Sequence, residues 1–386
     1  MIYLDNSATT KQAPEVTRRM TEIMELDFGN PSSLHRMGLS AEKAVRTARR
    51  QMDEVFPSGG MTVFTSGGTE ADNMAILGGA RMKRRSGRRI ITTAVEHPAV
   101  LESFTFLEKE CFEVIRIGVD EKGNPDLDAL EASVDGETIL VSVMQVNNET
   151  GTIFPVEEIG ESIRKKNPGV LYHCDAVQSF GKIPLPGNAD MISVSGHKIH
   201  GPKGSGGLWI RKGIHLPPLI LGGGQEKAFR SGTENVPAIA GLGLAAEMAA
   251  KTQGDALDHM SRLRRILREG LLERIPDTTI NGPEEEGTEP GCCCPAILNV
   301  SFAGTRGEVI LHTLEQEGIC VSTGSACSSN KKGQSHVLGA MGLAPKAIEG
   351  AIRFSFCRDN TEEEIRETIE KTAQAVERFR RLGSFR

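Results

Sequence analysis

Between residues 61 and 210, short runs rich in β-branched residues alternate with helical patterns, and that alternation leaves few architectures open. Candidate strands fall at 61–65, 90–95, 112–117, 139–143, 170–174, 190–194 and 206–210, with amphipathic stretches such as 156–166 between several of them. Parallel strands need long crossover connections, so repeated strand–helix alternation predicts a mostly parallel sheet covered by helices. The expected fold class is α/β: a large domain on a mostly parallel seven-stranded sheet, with a smaller α+β domain. Ligands in such sheets gather at the carboxyl ends of the strands. Polar motifs stand at those ends here: Ser66-Gly67-Gly68-Thr69, Asn147-Asn148-Glu149, Asp175 and His197-Lys198.

Beyond about residue 255 the pattern changes. One helix is expected over 257–274, a polar Pro/Gly-marked connection over 283–295, and then a smaller α+β unit. Its last helix opens at Thr361-Glu362-Glu363-Glu364, a capping-box spacing, and carries Ile365, Ile369, Val376 and Phe379 on one face. The expected division is 13–254 for the large domain, with 1–12 and 255–386 forming the small one.

A formal net charge of −6 argues against a general nucleic-acid role. The basic cluster Arg81-Met82-Lys83-Arg84-Arg85 sits where a helix should end, and there cations complement the helix dipole. No apolar run approaches the roughly 18 residues needed to span a membrane. The first residues lack a basic segment followed by an apolar one, so the expected location is the cytoplasm. The eight cysteines then read as thiols, and without two CxxC pairs they fit no zinc pattern, so no metal is expected. Cys292-Cys293-Cys294 reads as a partly buried or incidental triplet, with a metal or sulfur-handling role as the alternative.

The segment Ser195-Gly196-His197-Lys198-Ile199-His200-Gly201-Pro202-Lys203-Gly204 follows a short apolar run and puts a lysine on a glycine-flanked turn. A lysine held there can condense with an aldehyde, and Ser195 and His197 beside it can bind a phosphate. Those are the abilities needed to hold pyridoxal phosphate; alone, the segment reads first as a surface loop with a solvated lysine. Gly68 and Thr69 join a strand to a helix start, where backbone N–H groups favour an anion. Asp175, after the apolar run 170–174, suits the pyridinium nitrogen of that cofactor, or caps the next helix. Gln178, three residues on, can donate to the ring's phenolic oxygen.

Taken together the motifs resemble the cysteine desulfurases, class-V members of the fold-type I pyridoxal-phosphate enzymes, which supply sulfur for iron–sulfur cluster assembly. The resemblance runs in order along nearly the whole chain. It comprises Tyr3-Leu4-Asp5-Asn6-Ser7-Ala8-Thr9-Thr10, Asn30-Pro31-Ser32-Ser33-Leu34-His35, the glycine turn up to Glu70, Glu96-His97-Pro98-Ala99 and Asn147-Asn148-Glu149-Thr150-Gly151. It continues through Asp175-Ala176-Val177-Gln178, the Lys198 segment, Gly222-Gly223-Gly224-Gln225-Glu226, Arg230-Ser231-Gly232-Thr233, Ser325-Ala326-Cys327-Ser328-Ser329 and Arg353-Phe354-Ser355.

The resemblance implies that Lys198 joins the cofactor and shuttles protons, and that His97 stacks on the ring and assists proton transfer. It further implies that Asn148 bonds near the ring oxygen and the substrate, and that Arg353 grips the carboxylate of L-cysteine. Thr233 is implied to reach the phosphate of a neighbouring subunit, which calls for a homodimer. Cys327, in a polar segment with few core-forming residues, is implied to take the substrate sulfur as a persulfide, leaving alanine. It then hands the sulfur to an acceptor protein such as an iron–sulfur scaffold, or to a small thiol.

Three features depart from the family pattern. Gln334 stands where many relatives have proline, Cys357 where they often have glycine, and the cysteine triplet has no counterpart. Cys357 reads as packing or as a second sulfur carrier. Competing readings are a selenocysteine lyase or another class-V aminotransferase, and a non-catalytic thiol or metal-binding module. A mobile thiol is of no use to simple transamination, and a non-catalytic module predicts no dependence on Lys198.

Overall fold

A computed structural model describes residues 1–323 and 334–383. Seven strands form the large sheet: β2 (Gly60–Thr65), β3 (Arg89–Thr93), β4 (Glu113–Ile117), β5 (Thr138–Met144), β6 (Leu171–Asp175), β7 (Met191–Ser195) and β8 (Gly206–Arg211). Their order is β2-β8-β7-β6-β5-β3-β4. All neighbours pair in parallel except at β8, which runs antiparallel to both β7 and β2. Each expected strand is present to within about two residues at either end. The central strands β5, β6 and β7 are buried along their whole length, because helices cover both faces of the sheet.

One face packs against the helices Pro14–Leu26, Arg36–Asp53 and Val236–Lys251 through Val16, Ile23, Ala48, Met52, Trp209 and Leu242. The opposite face packs against Gly68–Lys83 and Pro98–Lys109 through Met74, Ile76, Phe104 and Leu107. A separate core gathers Leu4, Leu263, Leu267, Val300, Phe302, Leu314, Phe354, Ile365 and Val376. It is built on a three-stranded antiparallel sheet, β12 (Ala351–Ser355), β10 (Ile297–Phe302) and β9 (Thr278–Ile280). The helices Gln253–Arg274 and Glu362–Gly383 pack together beside it. The first of these starts four residues earlier than the expected 257. The second opens with the capping box as read: the Thr361 amide donates to Glu364 Oε2 at 3.1 Å, and the Glu364 amide to Thr361 Oγ1 at 3.2 Å.

The connection 283–295 is more buried than its polar composition suggests. Cys293 and Cys294 are fully buried. The Cys293 thiol donates to Thr150 O and Ile297 O at 3.3 and 3.5 Å, while Arg264 reaches in to Ile297 O and Glu286. Burial pushes the Cys293 thiol up to about 12, which makes it a packing group and a poor nucleophile.

Chain ends tie the two cores together. β1 (Ile2–Tyr3) pairs in parallel with β11 (Ile319–Cys320) in the second core. From there residues 5–13 cross to the sheet, where the Thr10 amide donates to His197 O at 2.8 Å and the Ala13 amide to His200 O at 2.9 Å. None of the described helices is long and apolar enough to cross a membrane.

Candidate active site

At the carboxyl ends of β5, β6 and β7 lies a cavity of about 340 Å³. Its lining includes nine residues singled out from sequence: Gly68, Thr69, His97, Asn148, Asp175, Gln178, Ser195, His197 and Lys198. Each arrives by a simple route. Asp175 ends β6, Ser195 ends β7, and His197 and Lys198 sit in the single helical turn Gly196–Lys198 that follows. His97 is the N-cap of Pro98–Lys109, and Gly68 opens Gly68–Lys83.

The lysine is aimed by backbone. Lys198 Nζ donates to the carbonyls of Ser7 and Ala8, the latter at 2.9 Å. Ser7 O also accepts from Gln178 Nε2 at 3.1 Å. Asp175 Oδ1 accepts from the Val177 amide at 2.9 Å, which turns the chain without starting a helix. Burial raises its carboxyl to about 6, against the pull of that bond and of the Lys198 charge. His97 Nδ1 accepts from the Ala99 amide at 3.1 Å, so the ring proton is on Nε2. Burial, and then the Lys198 charge, pushes its pKa down to about 4, and the ring is neutral at physiological pH.

Three features of the lining fit pyridoxal phosphate. Ser195 Oγ is buried with no hydrogen-bond partner among the described residues. Beside it, a Cβ on Gly68 would come within 2.7 Å of Val177 Cγ2, so only glycine allows that approach to a helix N-terminus whose first amides are free for an anion. The donor set matches as well: hydroxyls and amides for a phosphate, an amine for an aldehyde, and the Asp175 carboxylate for a ring cation.

Arg353 and Thr233 do not line this cavity. Arg353 is buried, with Nη1 donating to Asn148 O at 2.8 Å and Nη2 to Asp5 Oδ1 at 3.0 Å; its Nε has no partner among the described residues. It therefore stands one residue behind the lining, through Asn148. Thr233 lies in another hollow with Ser66, Arg230 and Glu234. Cys327 lies outside the described residues, but both flanks of its segment are anchored. Ser322 exchanges backbone hydrogen bonds with Arg353, at 3.1 and 2.6 Å. His336 Nε2 bonds Glu96 O at 3.0 Å, next to His97.

Sequence reading missed a polar layer under the cavity. His173, two residues before Asp175, bonds Ser142 Oγ and Ser193 Oγ at 2.8 Å each, with Asp72 Oδ1 3.7 Å away. Glu96 is fully buried; Oε1 accepts from Thr93 Oγ1 at 2.7 Å and from the Met144 amide at 3.0 Å, while Oε2 has no partner among the described residues. Burial raises Glu96 to about 8 and lowers His173 to about 3. Two signals were available: residues 173 and 175 share a face of their strand, and Asp72 follows Gly68 by one helical turn.

Comparison with known proteins finds relatives that match nearly the whole chain. The profile of the family described as Aminotransferase class-V matches residues 2–367. A protein named cysteine desulfurase from Trichormus azollae is 46% identical over 390 residues, covering 100% of this chain and 95% of its own length. One named cysteine desulfurase IscS, from Clostridium botulinum strain Hall, is 41% identical, covering 99% of this chain and 96% of its own. Among solved structures, a NifS-like protein superposes with a TM-score of 0.89 at 40% identity, over 97% of this chain and 99% of that one. SspA in complex with cysteine superposes with a TM-score of 0.78 at 31% identity, over 94% and 100%.

Proposed function

The chain belongs to the class-V aminotransferase family, and from that premise we propose that it is a pyridoxal-phosphate-dependent cysteine desulfurase. It converts L-cysteine to L-alanine, holds the sulfur as a persulfide on Cys327, and passes it to an acceptor protein such as a scaffold of iron–sulfur cluster assembly. The observation that carries the reading is the mooring of the Cys327 segment: one flank is bonded to Arg353 and the other to the carbonyl beside His97.

Gly68, Thr69, Ser195 and His197 would hold the phosphate, with Thr233 serving the site of a second subunit in a homodimer. Asp175 and Gln178 would hold the ring. When bound, the cofactor supplies an aldehyde for an amine and a ring that accepts electrons from a broken bond at Cα. Lys198 Nζ, aimed by Ser7 O and Ala8 O, takes and returns the Cα proton of the substrate. His97, neutral with its proton on Nε2, offers a hydrogen-bond donor that does not compete with the lysine for positive charge. The guanidinium of Arg353 supplies charge for the substrate carboxylate, and Asp5 orients it. The Cys327 thiolate attacks the substrate sulfur: an S–S bond forms, the C–S bond breaks, and its electron pair stays with the carbon skeleton that becomes alanine. The division into a large domain of 13–254 and a small one of 1–12 with 255–386 sets these groups on two bodies, the small one bringing Arg353 and Cys327.

The test is alanine formation from L-cysteine by the cofactor-loaded enzyme with a reducing thiol, for wild type and Cys327→Ala. Sustained alanine from the wild type and nearly none from the variant is expected. Equal rates, or no alanine from either, would overturn the assignment.

A further inference from the structure

On the far side of Lys198 from the cavity, a second hollow is lined by Asn6, Lys182, Lys198, His200, Cys357 and Arg358 among others. At its edge the side chains of His200, Cys357 and Asp359 each bring one donor atom within 4.8 Å of the other two. We propose that these three residues form a binding site for a soft divalent cation of zinc chemistry, clamping the Lys198 turn to the end of β12.

The donor set is the first argument. An imidazole, a thiolate and a carboxylate suit zinc-type ions and not the hard cations, which take oxygen alone. Three protein ligands leave a fourth position of the tetrahedron for water.

Ring orientation is the second. His200 Nδ1 bonds the carbonyl of Lys11 at 2.9 Å. A carbonyl can only accept, so Nδ1 carries the proton and Nε2 keeps the lone pair. Metal-ligating histidines are commonly fixed in this way by a second partner. The backbone holds the ring there: His200 has φ 61°, and its amide donates to Thr10 Oγ1 at 2.8 Å.

The third argument is the turn that presents the other two ligands. The Cys357 amide donates to Asn360 Oδ1 at 2.9 Å, and the Asn360 amide to Cys357 O at 3.3 Å. That tight turn places the thiol and the Asp359 carboxylate two residues apart on one side. With Zn–S about 2.3 Å and Zn–N about 2.0 Å, tetrahedral ligands stand roughly 3.5 Å apart. Closing from 4.8 Å requires side-chain rotation of about an ångström, which the exposed Asp359 allows.

Two cations border the site. Arg358 Nε lies 3.8 Å from Asp359 in a loose pair, with Nη1 donating to Thr252 Oγ1 at 3.3 Å, and Lys182 lines the hollow. A divalent ion balances the thiolate and the carboxylate, and the thiol proton leaves to solvent as it binds. This proposal uses no group assigned to the desulfurase reaction as a ligand, so its failure and the failure of that reading are separate results.

The experiment titrates the reduced, cofactor-loaded Cys327→Ser protein with Co²⁺, so that the sulfur-carrying thiol cannot compete. Tetrahedral cobalt bearing a thiolate shows intense visible d–d bands to the red of the cofactor. One equivalent of such cobalt per chain is expected, with a rise in melting temperature. Adding Cys357→Ser should abolish the bands. Asp359→Asn and His200→Gln should weaken binding at least about tenfold, while metal-free melting temperatures stay near that of the parent. Absence of tetrahedral bands in the parent, or undiminished bands in Cys357→Ser, would overturn the site.

Discussion

Glu96 shows what a single buried group does to the pH response. Its folded pKa of about 8 stands above the ordinary 4.5 because burial penalises the charged form. Below 4.5 both folded and unfolded chains hold the proton. Between 4.5 and 8 the folded chain keeps a proton that the unfolded chain has released, so this residue's contribution is lost as pH rises. Over the full interval that amounts to a few kcal/mol, on the order of 1.4 kcal/mol per pH unit. Glu96→Gln removes the titration. Urea midpoints from about pH 6 to about pH 8.5 should therefore fall less for Glu96→Gln than for wild type; parallel curves would sink the argument. At this scale the sequence was legible where a side chain lines the cavity. Lys198, Asp175, Ser195 and His97 were all visible, since each is a reactive type at a strand or helix end. It was not legible where a backbone atom does the work. The Ser7 and Ala8 carbonyls that aim Lys198 have no counterpart in side-chain identity, and Glu96 was visible only as part of a motif, with no hint of its burial.

Among the elements, the crossing of the helices Arg36–Asp53 and Val236–Lys251 shows local preference losing to packing. Gly243 lies in a helix interior, where alanine would ordinarily gain up to about 1 kcal/mol. Here a Cβ would stand 2.6 Å from Ala48 Cα and 2.8 Å from Ala48 Cβ. The obstacle is main chain and cannot rotate away. Gly243→Ala is expected to destabilise by about 1–3 kcal/mol net, read from the denaturant midpoint; a stabilised variant would mean that the helices separate freely. The same contrast explains what the sequence revealed of the elements. The central strands of the large sheet were readable because burial on both faces demands continuous β-branched and apolar runs. The start of Gln253–Arg274 was placed late, because Thr252 alone separates it from the preceding helix and Gly254, a poor helix former, falls inside its first turn. The segment 283–295 read as a polar connection; its own thiols Cys293 and Cys294 pack inward, and Arg264 from the preceding helix reaches in to Glu286.

The whole molecule is held together by its N-terminal strap. Asn6 is buried and donates to Tyr3 O at 3.2 Å and Ser355 O at 2.9 Å, and the next residue carries the carbonyl that receives Lys198. Asn6→Ala should cost about 1 kcal/mol by removing two hydrogen bonds from carbonyls that keep the Asn360 side chain and the residue-6 amide as donors. It should also reduce kcat for alanine formation more than it raises KM. A loss of stability with turnover unchanged would show that the strap fastens the cores without aiming the lysine. The change of pattern near residue 255 pointed to a second unit, with residues 1–12 expected beside it, but the strap's individual bonds were not legible, because they span the length of the chain.

That strap sets a schedule for the molecule's own synthesis. The Ser7 amide is held by Ser355 Oγ, 348 positions later, and β1 has no strand to lie against until residues 319–320 exist. A ribosome can deliver the entire large sheet, with its lysine, its aspartate and its glycine turn, before the strap has its partners in the second core. The strap's bonds to the second core can form only once translation has passed Ser355.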